Sequence, residues 1–71
     1  MQKTFYYIVP WKVASDCRTA LSTLGIPYWV EASSKRFQLN EGEIALVFPD
    51  LPVWELAAVM QLLGSEPLDY P

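Results

Sequence analysis

The residues able to carry acid–base, nucleophilic or metal chemistry are few and widely spaced in this 71-residue chain. There is no histidine, the commonest general base and metal ligand, and the one cysteine is Cys17. Cys17 falls on the apolar stripe of a predicted helix without a histidine to activate it, so we interpret it as a buried structural thiol. Glu41 and Glu43 flank Gly42, but carboxylates in a surface turn are normally only solvated. The sequence therefore predicts no catalytic site, no metal and no cofactor.

Nucleic-acid binding is disfavoured by both charge and pattern. The chain has a net charge of −3, and its five basic residues form no stripe that would follow a phosphate backbone. The aromatic strands also lack the interleaved basic residues and glycines of an RNA-binding sheet. The three glycines, at positions 25, 42 and 64, are isolated, so each is expected to serve a turn or a helix cap rather than a phosphate loop.

The remaining sequence feature that could indicate a function is the aromatic content, which is 14% of the chain. The stretch from Phe5 to Trp11 has apolar side chains on both faces of a predicted strand, and a chain of this length can hardly cover both faces with further layers. One face is therefore expected to be left for a partner. The predicted partner-binding residues are Phe5, Tyr7, Trp11, Trp29, Glu41 and Glu43. The alternative is that the surplus rings fill a thin core between sheet and helices, and the sequence favours neither interpretation.

The first half of the chain is predicted to fold as strand, helix, strand. Residues 4–9 form the first strand, which ends at Pro10 because proline cannot donate a ladder hydrogen bond. Apolar residues recur at helical spacing over residues 13–24, and Gly25 ends this helix as a left-handed cap. Residues 28–32 form the second strand.

The second half is predicted to add two strands and a helix. Residues 36–39 alternate polar with apolar, as a half-exposed strand does, whereas residues 44–48 are apolar throughout, which is typical of a central strand. The second helix is predicted to begin at Asp50 or Leu51 as its cap, with Pro52 in its first turn, and to end at Gly64. Residues 65–71 are predicted to be a short tail, which is mobile unless Leu68 and Tyr70 are held by contacts with the domain.

The predicted order is β-α-β-β-β-α, an α+β domain over residues 1–64 with the C-terminal tail at residues 65–71. The first two strands are expected to be parallel neighbours in a small mixed sheet, because their connection fits a right-handed crossover through the first helix. Both helices are expected on one face of that sheet. Trp29 is then expected on the other face, if Tyr28 and Val30 face the helices.

Composition predicts one folded domain in the cytoplasm. The chain is too short to divide between two cores, and 52% hydrophobic with 18% charged residues is typical of a globular protein. A single cysteine excludes an internal disulfide, charges interrupt any signal-peptide pattern, and no apolar run approaches the roughly 20 residues of a membrane span. No membrane partner is expected.

The charge is divided unevenly along the chain. Residues 1–36 hold five bases and two acids, a net +3, whereas residues 37–71 hold six acids and no base, a net −6. Either the two halves pack so that their charges interleave, or the second half presents an acidic surface to a basic partner.

Three segments carry a resemblance to a known family. They are the helix end Leu24-Gly25-Ile26-Pro27, the strand Tyr28-Trp29-Val30, and the strand Ile44-Ala45-Leu46-Val47-Phe48-Pro49 that leads into an apolar helix. In layout the chain resembles the small bacterial family described as signal-transducing proteins of unknown function, which is similar to ferredoxin-like regulatory domains. The Pro10-Trp11 connection departs from that family. The resemblance implies a ferredoxin-like fold and carries no ligand residues.

Two functions are predicted. The first is a non-enzymatic protein-binding regulator that contacts its partner through the open sheet face or an edge strand. Its size, its aromatic surplus and its lack of catalytic groups are similar to those of small phage-encoded proteins that bind host enzymes such as RNA polymerase. The alternative is a ferredoxin-like ligand-sensing domain that acts as a homodimer.

Overall fold

The structure is a computed structural model that describes residues 2–32 and 39–71. Its elements, in chain order, are β1 (Lys3–Pro10), α1 (Trp11–Leu24), β2 (Trp29–Glu31), β3 (Glu43–Pro49), α2 (Val53–Leu63) and β4 (Leu68–Asp69). The predicted α+β class is confirmed. The strand predicted at residues 36–39 falls outside the described residues apart from Leu39, which lies in no strand.

The described strands form one sheet in the order β2-β3-β1-β4, and every hydrogen-bonded pair is antiparallel. β1 and β2 run in the same direction, as predicted, but β3 lies between them. The expectation of a mixed sheet with β1 beside β2 is therefore corrected. β3 is buried from Ile44 onward and takes the central position that its continuous apolar sequence favours. This β-α-β-β-α-β order, with a strand inserted between two parallel ones, is the split β-α-β or ferredoxin-like arrangement.

Both helices begin after a proline and end at a glycine. Pro10 and Pro52 are extended, so each fixes the chain direction without requiring an N–H donor. Gly25 and Gly64 adopt φ of +73° and +72°, the left-handed conformation that glycine takes without a steric cost from Cβ. Each of these two glycine N–H groups donates to a carbonyl of the preceding turn. α1 starts two residues before its predicted first residue. α2 ends before Gly64 as predicted, but Pro52 is its N-cap and not a residue of its first turn.

The core lies between one face of the sheet and both helices, as predicted. The helices contribute Ala14, Cys17 and Leu21 of α1 and Val59 of α2, and Ile26 joins them from the turn after α1. The sheet contributes Phe5, Tyr7 and Val9 of β1 and Ile44, Leu46 and Phe48 of β3. Phe48 joins the aromatic members of this core. It stacks on Phe5 with 5.0 Å between ring centroids and meets Tyr7 edge to face at 6.1 Å. Part of the aromatic surplus is thus used in the core.

The C-terminal residues, which the sequence predicts as a tail, are joined to β1. β4 pairs with the middle of β1, and the Tyr70 N–H donates to the Thr4 carbonyl at 3.0 Å. The Tyr7 hydroxyl extends from the core and donates to the Ser65 carbonyl at 2.8 Å. Residues 65–70 are therefore held at both ends by contacts with β1.

Candidate protein-interaction surface

Two of the predicted partner-binding residues, Phe5 and Tyr7, are buried in the core. Only 7% and 4% of their surfaces are exposed, because they belong to the row of β1 side chains that faces the helices. Their side chains are therefore not available to a partner. The β1 residues on the other sheet face are Tyr6 and Ile8, which are half-buried. The sequence does not separate the two rows, since both are aromatic or aliphatic.

Trp29 lies on the sheet face away from the helices, where the strand alternation predicts it. Trp29 and Tyr6 flank Val47, which pairs with both of them across β3. Val47 and Ala45 also belong to this face, and neither side chain is exposed. This face is therefore not an open apolar platform at its centre.

A polar cluster crosses the same face from one sheet edge to the other. Lys3 Nζ lies 2.8 Å from Glu31 Oε2, and the same carboxylate oxygen accepts a 2.9 Å hydrogen bond from the Tyr70 hydroxyl. The Lys3 ammonium also lies over the rings of Trp29 and Tyr70, 5.7 and 5.6 Å from their centroids. The hydrogen bond to Glu31 raises the pKa of Lys3. Since Glu31 is on the β2 edge and Tyr70 follows β4, the protein's own long side chains occupy this part of the face.

Trp11, Glu41 and Glu43 are brought together at the opposite end of the sheet. The Trp11 N–H donates to the Gly42 carbonyl at 2.8 Å, and Pro10 pairs with Glu43. One carboxylate oxygen of Glu43 accepts the Asn40 N–H at 2.9 Å, so this side chain holds the turn. Glu41 is exposed, and 53% of Trp11 is exposed.

A further exposed apolar surface lies on α2, and it was not among the predicted sites. Val59 is the one fully buried residue of this helix, and Leu56 and Leu63 pack against the core beside it. The opposite arc is exposed and consists of Val53, Trp54, Ala57, Gln61 and Leu62. We refer to these five residues as the α2 outer face. The exposed fractions of Val53, Trp54 and Leu62 are 84%, 62% and 39%, and Gln61 is the sole polar member.

The outer face of α1 shows how different this arc is from an ordinary solvated helix face. Between residues 15 and 23 every exposed residue of α1 is polar, namely Ser15, Asp16, Arg18, Thr19, Ser22 and Thr23. The exposed apolar residues of α1 are at its first, third and last positions, Trp11, Val13 and Leu24. Both helices cover the same side of the sheet. The apolar character of the α2 outer face is therefore a property of its sequence, in which Glu55 and Gln61 are the strongly polar residues between positions 53 and 63.

Acidic residues surround α2, and within residues 2–32 and 39–71 they form no ion pair with a base. Residues 37–71 contain no base, and Asp50, Glu55 and Glu66 lie just before, within and just after the helix. Among the residues that the structure describes, the ion pair is Lys3–Glu31, in which both members belong to the first half of the chain. The charges of the two halves are therefore not neutralised by pairing with each other in this part of the protein.

Potential metal ligands are not clustered in the described ranges, and the thiol of Cys17 is not exposed. Cys17 is buried on α1, and burial, followed by the charge of Asp16, raises the pKa of its thiol. Within residues 2–32 and 39–71, no three cysteine or carboxylate side chains are placed to hold a metal ion. No helix over these same residues combines the length and the apolar character needed to cross a membrane.

A scan against protein-family models finds no match to this chain. Comparisons with curated proteins and with solved structures find no significant similarity.

Proposed function

We propose that this protein is a non-enzymatic regulator that binds another protein through the α2 outer face. The observation that carries the proposal is the exposure of Val53, Trp54 and Leu62 on one arc of a short helix whose other arc is anchored in the core. Exposed apolar surface costs solubility, and a contiguous patch of it usually marks an interaction site.

The shape of this surface favours a protein partner over a small ligand. Helix residues at positions 53, 54, 57 and 61 follow the spacing by which an amphipathic helix inserts into an apolar groove. Tryptophan is among the residues most enriched where a few side chains carry most of the binding energy. Trp54 is therefore the proposed anchor, and Val53 and Leu62 flank it.

The acidic residues near α2 indicate which charges would surround the apolar groove of the partner that binds the α2 outer face. Because the acids near α2 have no basic partner within the described residues, a basic rim on the other protein would complement them. Such a rim would increase the association rate and make binding weaken at high salt. We propose a cytoplasmic partner of this kind, such as a host enzyme like RNA polymerase bound by a phage-type regulator.

The experiment compares Trp54→Ala with Trp11→Ala, two tryptophans of similar exposure at different places. Each tagged protein is incubated with bacterial lysate, and the affinity for any stoichiometric partner is then measured with purified components. Trp54→Ala should weaken binding by about 30-fold or more, the loss expected for a hot-spot residue, and Trp11→Ala should not. Both variants should keep the wild-type circular dichroism spectrum.

Other outcomes would point elsewhere. Loss of binding with Trp11→Ala alone would move the site to the turn that carries Glu41 and Glu43. A stable homodimer that Trp54→Ala converts to monomer, with no second protein retained, would support the alternative of a homodimeric regulatory domain. A monomeric wild type that retains no partner would contradict the proposal.

A further inference from the structure

A groove on α1 has a chemical character opposite to that of the α2 outer face. It has a volume of about 360 Å³ and is open to solvent. Its lining consists of Ser15, Arg18, Thr19, Ser22, Thr23 and Tyr28. Each lining residue carries a hydroxyl group or a guanidinium, and the volume is within the range of small-molecule sites.

Arg18 is the charged residue of this groove. Its Nε donates to the Tyr28 hydroxyl at 3.3 Å, which holds the guanidinium beside the groove. No carboxylate of the described residues lies within ion-pair distance of Arg18, whereas Lys3 is engaged by Glu31. Only one of the five guanidinium N–H groups donates to Tyr28. The other four form the planar fork that binds phosphate and carboxylate in a bidentate manner.

The hydroxyl groups add polar positions along the same groove. Thr19 and Thr23 each donate to the carbonyl four residues earlier, at 3.0 and 2.9 Å, which fixes the orientation of both side chains. Their oxygen lone pairs are left for a donor on a ligand. Hydrogen bonding from Arg18 and then from Ser22 lowers the pKa of Tyr28, and all three residues line the groove.

We infer that this groove binds a small molecule through a phosphate or carboxylate group held by Arg18, with the adjacent hydroxyls contacting the rest of the ligand. The chain as a whole is acidic, so attraction of an anion must come from local geometry and not from net charge. The inference does not depend on the proposed function, because the groove is on the outer side of α1 and shares no residue with the α2 outer face.

The test is a titration of isotope-labelled full-length protein, followed through its backbone amide resonances. Sodium phosphate, sodium acetate and sodium chloride are compared at one pH and one ionic strength, so that phosphate, carboxylate and general salt effects are separated. Saturable shifts at the groove residues are expected with phosphate or acetate, and not with chloride. Arg18→Gln should weaken this binding by at least about tenfold.

Two further variants make the result specific to the groove. Lys12→Gln removes an exposed base from the same helix outside the groove lining, and it should leave binding unchanged. Ser22→Ala keeps every charge and should weaken anion binding severalfold. This variant therefore tests the groove if Arg18→Gln does not fold. Equal linear shifts in all three salts, or equal losses in Lys12→Gln and Arg18→Gln, would overturn the inference.

Discussion

Replacing Tyr7 with phenylalanine tests how the C-terminal residues are held to the core. The ring of Tyr7 is buried against Phe48, and its hydroxyl donates to the Ser65 carbonyl at 2.8 Å. Phenylalanine keeps the ring contacts and removes only this hydrogen bond. The expected loss is about 0.5–1.5 kcal/mol, out of a total stability of roughly 4–11 kcal/mol for a chain of this length.

The effect of Tyr7→Phe should depend on pH. Burial, followed by the charge of Glu66, raises the pKa of Tyr7 above 10.0. Below that value the phenol is neutral in both folded and unfolded chains, and the wild type keeps its full advantage. As the pH rises further, the unfolded chain ionises first, so the advantage of the wild type shrinks. The pKa of Lys3 is also raised, so its contribution to stability is lost at high pH. That loss is the same in the wild type and in Tyr7→Phe, and it cancels when their unfolding free energies are compared.

Tyr28→Phe is the matched control, because the sign of its pH dependence is opposite. Hydrogen bonds from Arg18 and Ser22 lower the pKa of Tyr28, so at high pH the folded state ionises first and the wild type gains stability relative to this variant. The assay is urea unfolding followed by circular dichroism at about pH 8 and about pH 10.5. Equal stability of wild type and Tyr7→Phe at the lower pH, or a difference that does not change between the two, would refute the reasoning.

Two other substitutions and one labelling experiment test the core. Leu21→Ala removes a fully buried side chain and should lower the free energy of unfolding by about 2–5 kcal/mol. Leu24→Ala, at a half-exposed position of the same helix, should lower it by less than about 1 kcal/mol. Chemical unfolding measures both. A result in which the two cost the same would contradict the placement of α1. The Cys17 thiol, buried and with a raised pKa, should react slowly with a thiol reagent in the native protein and at the free-thiol rate in denaturant. Rapid reaction under native conditions would show that Cys17 is accessible.

The positions of the helices could be predicted because local chemistry determines them. Gly25 and Gly64 end the helices as left-handed caps. The apolar period over residues 13–24 correctly places Cys17 and Leu21 on the buried side of α1, whereas Val13 and Leu24 of the same pattern are exposed. The central position of β3 follows from the same kind of local information, since residues 44–48 are apolar throughout and could not form an edge.

Strand pairing was not predictable, because it depends on contacts between distant residues. The connection through α1 indicates that β1 and β2 share a direction, but it does not show that β3 lies between them. β4 was predicted as tail, since Leu68 and Asp69 have no strand pattern of their own and are placed by Tyr7, Thr4 and the register of β1.

The candidate surface was harder to predict than the fold. Tyr6 and Tyr7 have the same side chain, so composition does not say which one faces the helices. The second sheet face is also occupied by Lys3, Glu31 and Tyr70, which come from three separate segments. The signal for the α2 outer face was present in the sequence, as a helix that is apolar nearly all round, but its exposed arc depends on where the core lies.

The most direct test of the proposed interaction is site-specific photo-crosslinking in bacterial lysate. A benzophenone amino acid replaces Ala57 on the α2 outer face in one protein and Ser15 on the outer face of α1 in another, since both positions are exposed. The proposal predicts one discrete adduct with another protein from position 57 and none from position 15. The same adduct from both positions, or an adduct from position 15 alone, would contradict it.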